Sequence, residues 1–211
     1  MKTVAVIDYG MGNLHSVHKA LIKVGAERVV LTDDPKQLMA ADRIIFPGVG
    51  ALRACVDAIK SRGLDEMLRE YAQQKPVMGI CLGMQALFEY SEENNGIDGL
   101  GLIKGKVLRF QQASMEPMMK IPHMGWNEVH HREEHPMWNG IEQNSRFYFV
   151  HSYYVYSDQS EVVSGETDYG IKFTSAVAQG NVFAVQFHPE KSQANGLRLL
   201  GNFLTWNGCD K

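Results

Sequence analysis

Over the first 90 residues of the chain, short apolar runs alternate with stretches that have helical spacing. The apolar runs predict strands at residues 3–7, 28–31, 43–46 and 76–80. They are continuous rather than alternating, which is typical of parallel strands covered on both faces. Apolar side chains between them recur at helical spacing and predict helices near residues 14–24, 51–62 and 64–74. This order of elements predicts a parallel sheet with crossover helices.

The second half of the chain is rich in short strands. Runs of β-branched and aromatic residues separated by turn residues predict strands at residues 106–110, 147–150, 153–156, 162–164, 171–178 and 182–187. A last helical pattern covers residues 194–206. Since no repeat, low-complexity tract or linker divides the sequence, we expect one α/β domain over residues 1–211, with a mostly parallel central sheet, flanking helices and a strand-rich C-terminal half.

Charge and composition exclude several classes of protein. The chain has 21 Lys and Arg against 24 Asp and Glu, a formal charge of −3, so it lacks the basic surface typical of nucleic-acid binders. Its apolar runs are far shorter than the roughly 18 residues that a membrane helix needs, and the N-terminus does not resemble a signal peptide. Three cysteines without Cys-x-x-Cys spacing predict free thiols and a cytoplasmic location.

Two familiar cofactor and metal signatures are incomplete. The Gly10-Met11-Gly12 turn follows a strand, but His15 stands where a dinucleotide-binding fingerprint has its third glycine. The segment from His131 to His135 has the letters of one metalloprotease motif, but Pro136 follows and no helical pattern precedes it. We therefore interpret this segment as a solvated polar loop, and we expect neither a metal nor an organic cofactor.

A cysteine lies at a sharp turn between a strand and a helix. The sequence runs from an apolar strand through Gly79-Ile80-Cys81-Leu82-Gly83 into a helical pattern that continues to Phe88. Flanking glycines leave the backbone room for such an elbow, which exposes its central side chain. The N-terminus of the helix favours a thiolate over a thiol. Cys81 is therefore a candidate nucleophile, although a small buried cysteine in a glycine-rich turn has the same pattern.

A candidate base follows 107 residues later, at the end of another apolar strand. Residues two apart in an extended segment point to the same side, so Glu190 is placed to orient the ring of His188. A cysteine, a histidine and a carboxylate form a nucleophile set that is recognised by roles rather than by chain order. A third element, Pro47-Gly48-Val49-Gly50, offers backbone N–H groups for an oxyanion, although an ordinary turn has the same pattern.

The chain resembles the class I, triad-type glutamine amidotransferases, whose fold is flavodoxin-like. The resemblance extends along the whole chain. It rests on Asp8-Tyr9-Gly10-Met11-Gly12-Asn13, the glycine loop at 47–50, the elbow at 79–85, His123-Met124-Gly125-Trp126-Asn127, the segment 149–154 and the segment 186–192. The elbow and His-Pro-Glu mark the superfamily. The first, second and fourth segments point to the members that supply ammonia for histidine biosynthesis.

The resemblance implies a role for each matching residue. Cys81 would be the nucleophile, His188 the general base and acid, and Glu190 the residue that orients His188. The oxyanion would be held by the N–H of Leu82 and one from the loop Gly48, Val49 and Gly50. Glutamine would be bound by the Gln85 side chain and by backbone around His151, Ser152 and Tyr153.

The resemblance also implies a partner. Similar proteins pair, as heterodimers, with a (β/α)₈-barrel cyclase that uses the ammonia to make imidazole glycerol phosphate and an aminoimidazole carboxamide ribonucleotide. Residues expected at this interface or along the ammonia path are Asn13, Met124, Trp126, Tyr153 and Lys191. Two alternatives stay open: a glutaminase subunit of another ammonia-using synthase, such as the one that forms pyridoxal phosphate, and a catalytically silent binding or regulatory homologue.

Overall fold

The computed structural model describes residues 2–111 and 119–209. Its N-terminal half alternates strands and helices as the sequence predicts, with an additional short helix at residues 35–40 that was not predicted. The strands are β1 (Thr3–Ile7), β2 (Arg28–Thr32), β3 (Arg43–Gly48) and β4 (Val77–Cys81). The helices are α1 (Leu14–Lys23), α2 (Pro35–Ala40), α3 (Leu52–Ser61), α4 (Leu64–Ala72) and α5 (Leu82–Ala86).

The later part of the described chain is mainly β. Its strands are β5 (Phe88–Ser91), β6 (Ile97–Asp98), β7 (Ile103–Arg109), β8 (His123–His131), β9 (Ser145–His151), β10 (Tyr153–Tyr156), β11 (Val163–Asp168), β12 (Lys172–Gln179) and β13 (Val182–Val185). Helix α6 (Gln193–Thr205) follows.

The central sheet has the order β2-β1-β3-β4-β13, and these five strands are parallel. This is the doubly wound, flavodoxin-like order, in which ligands bind beyond the carboxyl ends of the strands. Strand β12 pairs with β13 in the antiparallel direction and continues the sheet to β10, β7, β5 and β6. Strands β11, β8 and β9 branch from β12. The predicted fold class is therefore confirmed.

Three local predictions are wrong or incomplete. The helix after Cys81 ends at Ala86 rather than Phe88, because Phe88 begins β5 and pairs with Ile103 of β7. Residues 123–131, for which no strand was predicted, form β8. His131 is not part of a solvated loop: it ends β8, is 7% exposed and stacks on Trp138 with ring centroids 4.1 Å apart. Tertiary packing overrides local polarity at this position.

Three buried histidines belong to the strand-rich part of the core. The exposed fractions of His123, His131 and His151 are 2%, 7% and 6%. Burial lowers the pKa of His123 and of His131 from 6.5 to about 4, and it lowers the pKa of His151 to about 3. These side chains are therefore neutral in the folded protein at physiological pH.

We predict that the free energy of unfolding falls as the pH drops from 6.5 towards 4. Each of these histidines takes up a proton near pH 6.5 in the unfolded chain but only near pH 3 to 4 in the folded one. Their contribution to stability is therefore complete above pH 6.5 and is lost on acidification, at about 1.4 kcal/mol per pH unit for each histidine. Urea titrations at a series of pH values measure this slope.

The control is His131→Phe, which keeps an aromatic ring on Trp138 but removes one titrating group. In this variant the free energy of unfolding should fall less steeply with decreasing pH than in the wild type, by about 1.4 kcal/mol per pH unit, the contribution of one histidine. Equal slopes in the two proteins would contradict the assignment of neutral buried histidines.

Candidate active site

The carboxyl ends of three adjacent strands bring the predicted catalytic residues together. Cys81 is the last residue of β4, Gly48 is its register partner at the end of β3, and His188 lies three residues beyond β13. A cavity of about 440 Å³ opens at this edge of the sheet. Its lining includes the predicted residues Val49, Gly50, Cys81, Leu82, Gln85, His151, Ser152, Tyr153, His188 and Lys191.

Cys81 has a strained backbone conformation, with φ 54° and ψ −110°. A side chain with a Cβ rarely adopts such angles, and they persist only where the surroundings impose them. The close contacts of the neighbouring glycines, Gly79 and Gly83, show which parts of the structure impose these angles on Cys81. A Cβ on Gly83 would overlap the carbonyl oxygen of Phe46, and one on Gly79 would lie 2.9 Å from the Cβ of Ala184. The elbow is packed directly against strands β3 and β13, and this packing turns the sulfur toward the cavity.

His188 and Glu190 form a buried pair. The Nδ1–H of His188 donates to Oε1 of Glu190 over 2.8 Å, and the two side chains are 2% and 1% exposed. The backbone of His188 is anchored as well, since its N–H donates to the Tyr148 carbonyl and its own carbonyl accepts from the Ser192 hydroxyl. The ring is therefore held in one orientation, with Nε2 directed away from the carboxylate.

The Nε2 atom of His188 is buried and has no hydrogen-bond partner among the described residues. The ring lies close enough to Cys81 for the thiol to change its proton affinity. Burial, the largest single influence, lowers the pKa of His188, but the Cys81 sulfur beside the ring and the hydrogen-bonded Glu190 carboxylate together raise it to about 10. This environment favours an imidazolium beside the sulfur of Cys81, so the ring can hold the proton that a thiol nucleophile must lose.

The other two cysteines differ from Cys81 in ways that matter chemically. Cys55 is fully buried in α3, and burial raises its pKa to about 12, so it is a neutral thiol at physiological pH. Cys209 is exposed and donates to the carbonyl of Gly180. Neither of them lines the cavity. Of the three thiols, only Cys81 combines access to the cavity with a neighbouring imidazole.

The predicted glutamine-binding residues form part of the cavity wall. The Gln85 amide donates to the Tyr153 carbonyl and to Oε1 of Gln186, each over 3.0 Å. Nδ1 of His151 lies 2.7 Å from the same Tyr153 carbonyl. The Gln85 amide and the Tyr153 carbonyl thus make hydrogen bonds within the protein, and these bonds fix the shape of this wall.

Three of the predicted interface residues lie outside the cavity. Met124 and Trp126 are 61% and 44% exposed, and because they are two residues apart on β8 they present two large apolar side chains on the same face of this strand. Asn13 stands at the start of α1. Lys191 lines the cavity and places its Nζ 5.8 Å from the centre of the Tyr148 ring.

Two residues of the site, Glu93 and Gln186, were not predicted from the sequence. Glu93 lines the cavity, and its Oε2 accepts the backbone N–H of Leu52. Gln186 is fully buried, and its Nε2 lies 3.7 Å from the sulfur of Cys81. Only Gln186 could have been found from the sequence. It is a polar residue in the apolar run predicted at 182–187, and because it lies two residues before His188 in an extended segment it points to the same side as that histidine.

No cluster of three or more metal-binding side chains occurs within residues 2–111 and 119–209. None of the helices in those two ranges is long and apolar enough to cross a membrane.

Comparisons with known proteins agree with this geometry. A model of the family "Glutamine amidotransferase class-I" matches residues 5–206. The chain is 54% identical to the imidazole glycerol phosphate synthase subunit HisH of Nitrosococcus oceani, over 99% of each chain. It is 57% identical to the protein of the same name from Methylococcus capsulatus, over 98% of this chain and 97% of the relative.

A solved structure of PurLQS from Thermotoga maritima has the same fold, with a TM-score of 0.73 and 21% identity over 97% of this chain and 98% of the other. A crystal structure of a glutamine amidotransferase also gives a TM-score of 0.73, at 19% identity over 96% and 97% of the two chains. The chain therefore belongs to the class I glutamine amidotransferase family, and within that family it groups with the HisH subunits of imidazole glycerol phosphate synthase.

Proposed function

We propose that the chain is the glutaminase subunit of an imidazole glycerol phosphate synthase. It releases ammonia from glutamine at Cys81 and passes that ammonia to a (β/α)₈-barrel cyclase subunit, which uses it in histidine biosynthesis. The observation that carries the proposal is the strained elbow that presents Cys81 to a cavity beside the His188–Glu190 pair.

The reaction follows from the positions of these groups. The Cys81 thiolate attacks the side-chain carboxamide carbon of glutamine and forms a carbon–sulfur bond, and the carbonyl oxygen becomes an oxyanion. His188 then donates its proton to the departing nitrogen as the carbon–nitrogen bond breaks, which yields ammonia and a glutamyl thioester. Water attacks the thioester while His188 takes its proton. Glutamate leaves and the thiolate is restored.

The oxyanion is stabilised by backbone N–H groups. We assign the N–H of Leu82, which follows the nucleophile, and one N–H of the loop Gly48, Val49 and Gly50. Val49 and Gly50 line the cavity, and the Tyr9 hydroxyl holds the start of the loop by donating to the Pro47 carbonyl over 3.0 Å. Loss of one oxyanion donor typically costs about 3 kcal/mol, so the orientation of this loop sets the rate.

Glutamine binding uses the rest of the cavity wall. Glutamine carries an α-ammonium and an α-carboxylate besides its amide. We place the ammonium at the Glu93 carboxylate, which is the acidic side chain lining the cavity, and the remaining polar atoms at Gln85 and at the backbone of His151, Ser152 and Tyr153. No cofactor takes part in this chemistry.

The partner is needed because ammonia is mostly protonated in neutral water and ammonium is not a nucleophile. Sheltered transfer therefore requires a synthase docked over the cavity mouth. The exposed Met124 and Trp126 supply apolar surface for this docking, with Lys191 at the cavity and Asn13 at the start of α1 nearby in the proposed interface. That the curated relatives are named as subunits supports a partner of this kind.

We predict that Cys81→Ala abolishes glutamine-dependent product formation by the complex with the cyclase subunit. Added ammonium salt at alkaline pH should still support synthesis, because the cyclase site is intact. Steady-state assays with each nitrogen donor measure both activities. The matched control is Cys55→Ala, which removes a buried thiol outside the cavity and should leave both activities within about threefold of the wild type if the fold is kept. Full glutaminase activity in Cys81→Ala would overturn the assignment of the nucleophile.

We also predict that the isolated chain hydrolyses glutamine slowly and that the cyclase subunit with its nucleotide substrate raises kcat by 100-fold or more, roughly the effect of one oxyanion donor. The reason is that the glycine loop lies beside the proposed interface, so docking can bias its orientation. Glutamate release with and without the partner is the measurement. Equal turnover in the two conditions would refute this regulation while leaving the Cys81 assignment intact.

A further inference from the structure

A continuous series of hydrogen bonds links strand β8 to the nucleophile. It runs from the side chain of Asn127 through His123 and His151 to the carbonyl of Tyr153, and from there through Gln85 and Gln186 to the sulfur of Cys81. We call these residues the relay. The proposed mechanism uses Cys81 as the nucleophile and Gln85 and the backbone of His151 and Tyr153 to bind glutamine. It gives no part to the side chains of Asn127, His123, His151 and Gln186.

The direction of the first bond is fixed by the amide of Asn127. Its Oδ1 accepts the backbone N–H of Glu128 over 2.8 Å, and its Nδ2 donates to the carbonyl of Asp168 over 2.8 Å. The second hydrogen of Nδ2 therefore points to Nε2 of His123, 3.3 Å away. Nε2 of His123 is an acceptor, and the proton of this neutral ring is on Nδ1.

The hydrogen bond that His151 makes to Tyr153 shows that His151 also carries its proton on Nδ1. A carbonyl oxygen can only accept, so Nδ1 of His151 donates to Tyr153 over 2.7 Å, and its Nε2 is left as an acceptor. That Nε2 lies 2.9 Å from Nδ1 of His123, which donates to it. A second proton on either ring would remove an acceptor from the relay, and burial keeps both rings neutral by lowering their pKa.

The inner half of the relay ends at the sulfur. The Gln85 amide donates one hydrogen to the Tyr153 carbonyl and the other to Oε1 of Gln186. With Oε1 engaged as an acceptor, the Gln186 amide turns its Nε2–H₂ to the sulfur of Cys81, at 3.7 Å. A hydrogen bond donated to sulfur favours its charged form.

We infer that His123 and His151 are positioning residues. The hydrogen bond from His151 holds the Tyr153 carbonyl in place, and this carbonyl in turn holds the Gln85 amide, so that the Gln186 amide keeps its N–H toward Cys81. The inference rests on the proposed function, in which Cys81 is the nucleophile. In a strand, alternate side chains share a face, so β8 carries His123 and Asn127 of the relay on one face and the exposed Met124 and Trp126 on the other.

Nuclear magnetic resonance of the wild-type chain tests the tautomers directly. Two-bond nitrogen–proton correlations in protein with ¹⁵N-labelled histidine distinguish Nδ1–H, Nε2–H and imidazolium forms. We expect Nδ1–H for both His123 and His151 at pH 7. An Nε2–H tautomer or an imidazolium at either residue would overturn the inference, whatever the outcome of the glutaminase assays.

Substitutions test whether the relay acts on the sulfur. His123→Phe keeps a ring between Phe149 and Tyr169 but removes the donor to His151, whereas His123→Asn places an amide donor near the position of Nδ1. In His123→Phe we expect kcat/KM for glutamine in the complex to fall about 10-fold, the effect of one lost charge-assisted hydrogen bond. We also expect the midpoint of the pH profile of Cys81 alkylation by iodoacetamide to rise by about half a pH unit. His123→Asn should recover most of both losses.

The controls separate this inference from a structural effect and from the proposed function. His131→Phe, a buried histidine outside the relay, should keep the wild-type kcat/KM and alkylation midpoint. His188 and Tyr9, two titratable groups that interact electrostatically with Cys81, are unchanged in all of these variants. A folded His123→Phe with wild-type values for both readouts, or a folded His123→Asn as impaired as His123→Phe, would overturn the inference. A wild-type complex without glutamine turnover would overturn the proposed function, and the tautomer measurement would still decide the relay.

Discussion

The close approach of the Cys81 elbow to its neighbouring strands is the constraint on which the site depends. The backbone of Gly83 lies against the carbonyl of Phe46 with no space for a side chain, and Gly79 is nearly as close to Ala184. This packing holds Cys81 at a positive φ and turns its sulfur out of the sheet. The strain persists because β3 and β13 flank β4 on both sides and are themselves buried.

The same strand order supplies the rest of the chemistry. Because β3, β4 and β13 are neighbours and parallel, the glycine loop, the cysteine and the histidine all emerge at one edge of the sheet. The loop, Cys81 and His188 therefore need no long connections to meet. The carboxylate of Glu190 then fixes the histidine ring, and the wall formed by β10 and Gln85 closes the cavity.

Much of the parallel half could be predicted from the sequence because its signals are local. Each continuous apolar run indicates a strand, each stretch with helical spacing indicates a helix, and the glycines around Cys81 and Gly48 indicate turns. The alternation of strands and helices along the chain then predicts that the strands form one parallel sheet. Glu93 could not be found in this way. It reaches the cavity through a turn between β5 and β6 that has no motif, and its position depends on contact with the start of α3. The part played by His123 was equally hidden, because it arises only when β8 pairs with β9 and brings this ring beside His151.

The buried polar residues in the strand-rich half could not be predicted from the local sequence pattern. His123, His131 and His151 are polar residues in segments where polar and apolar positions alternate. The sequence around a histidine does not show whether its ring is solvated or enclosed by aromatic rings. His123 is enclosed by Phe149 and Tyr169, and His131 stacks on Trp138. Their burial is decided by which strands pair across long stretches of chain. His188 could be singled out as a candidate base because a proline and an acid follow it at fixed spacing, which neither His123 nor His131 shares.

The most direct test of the account is to alkylate the native chain with iodoacetamide, with and without saturating glutamine, and to map the modified cysteines by mass spectrometry. The account predicts that Cys81 reacts and is protected by glutamine, that Cys209 reacts equally in both samples and that the enclosed Cys55 stays unmodified. Alkylation of Cys81 at the same rate with and without glutamine, or a Cys81 that does not react while Cys55 does, would contradict the assignment of this site.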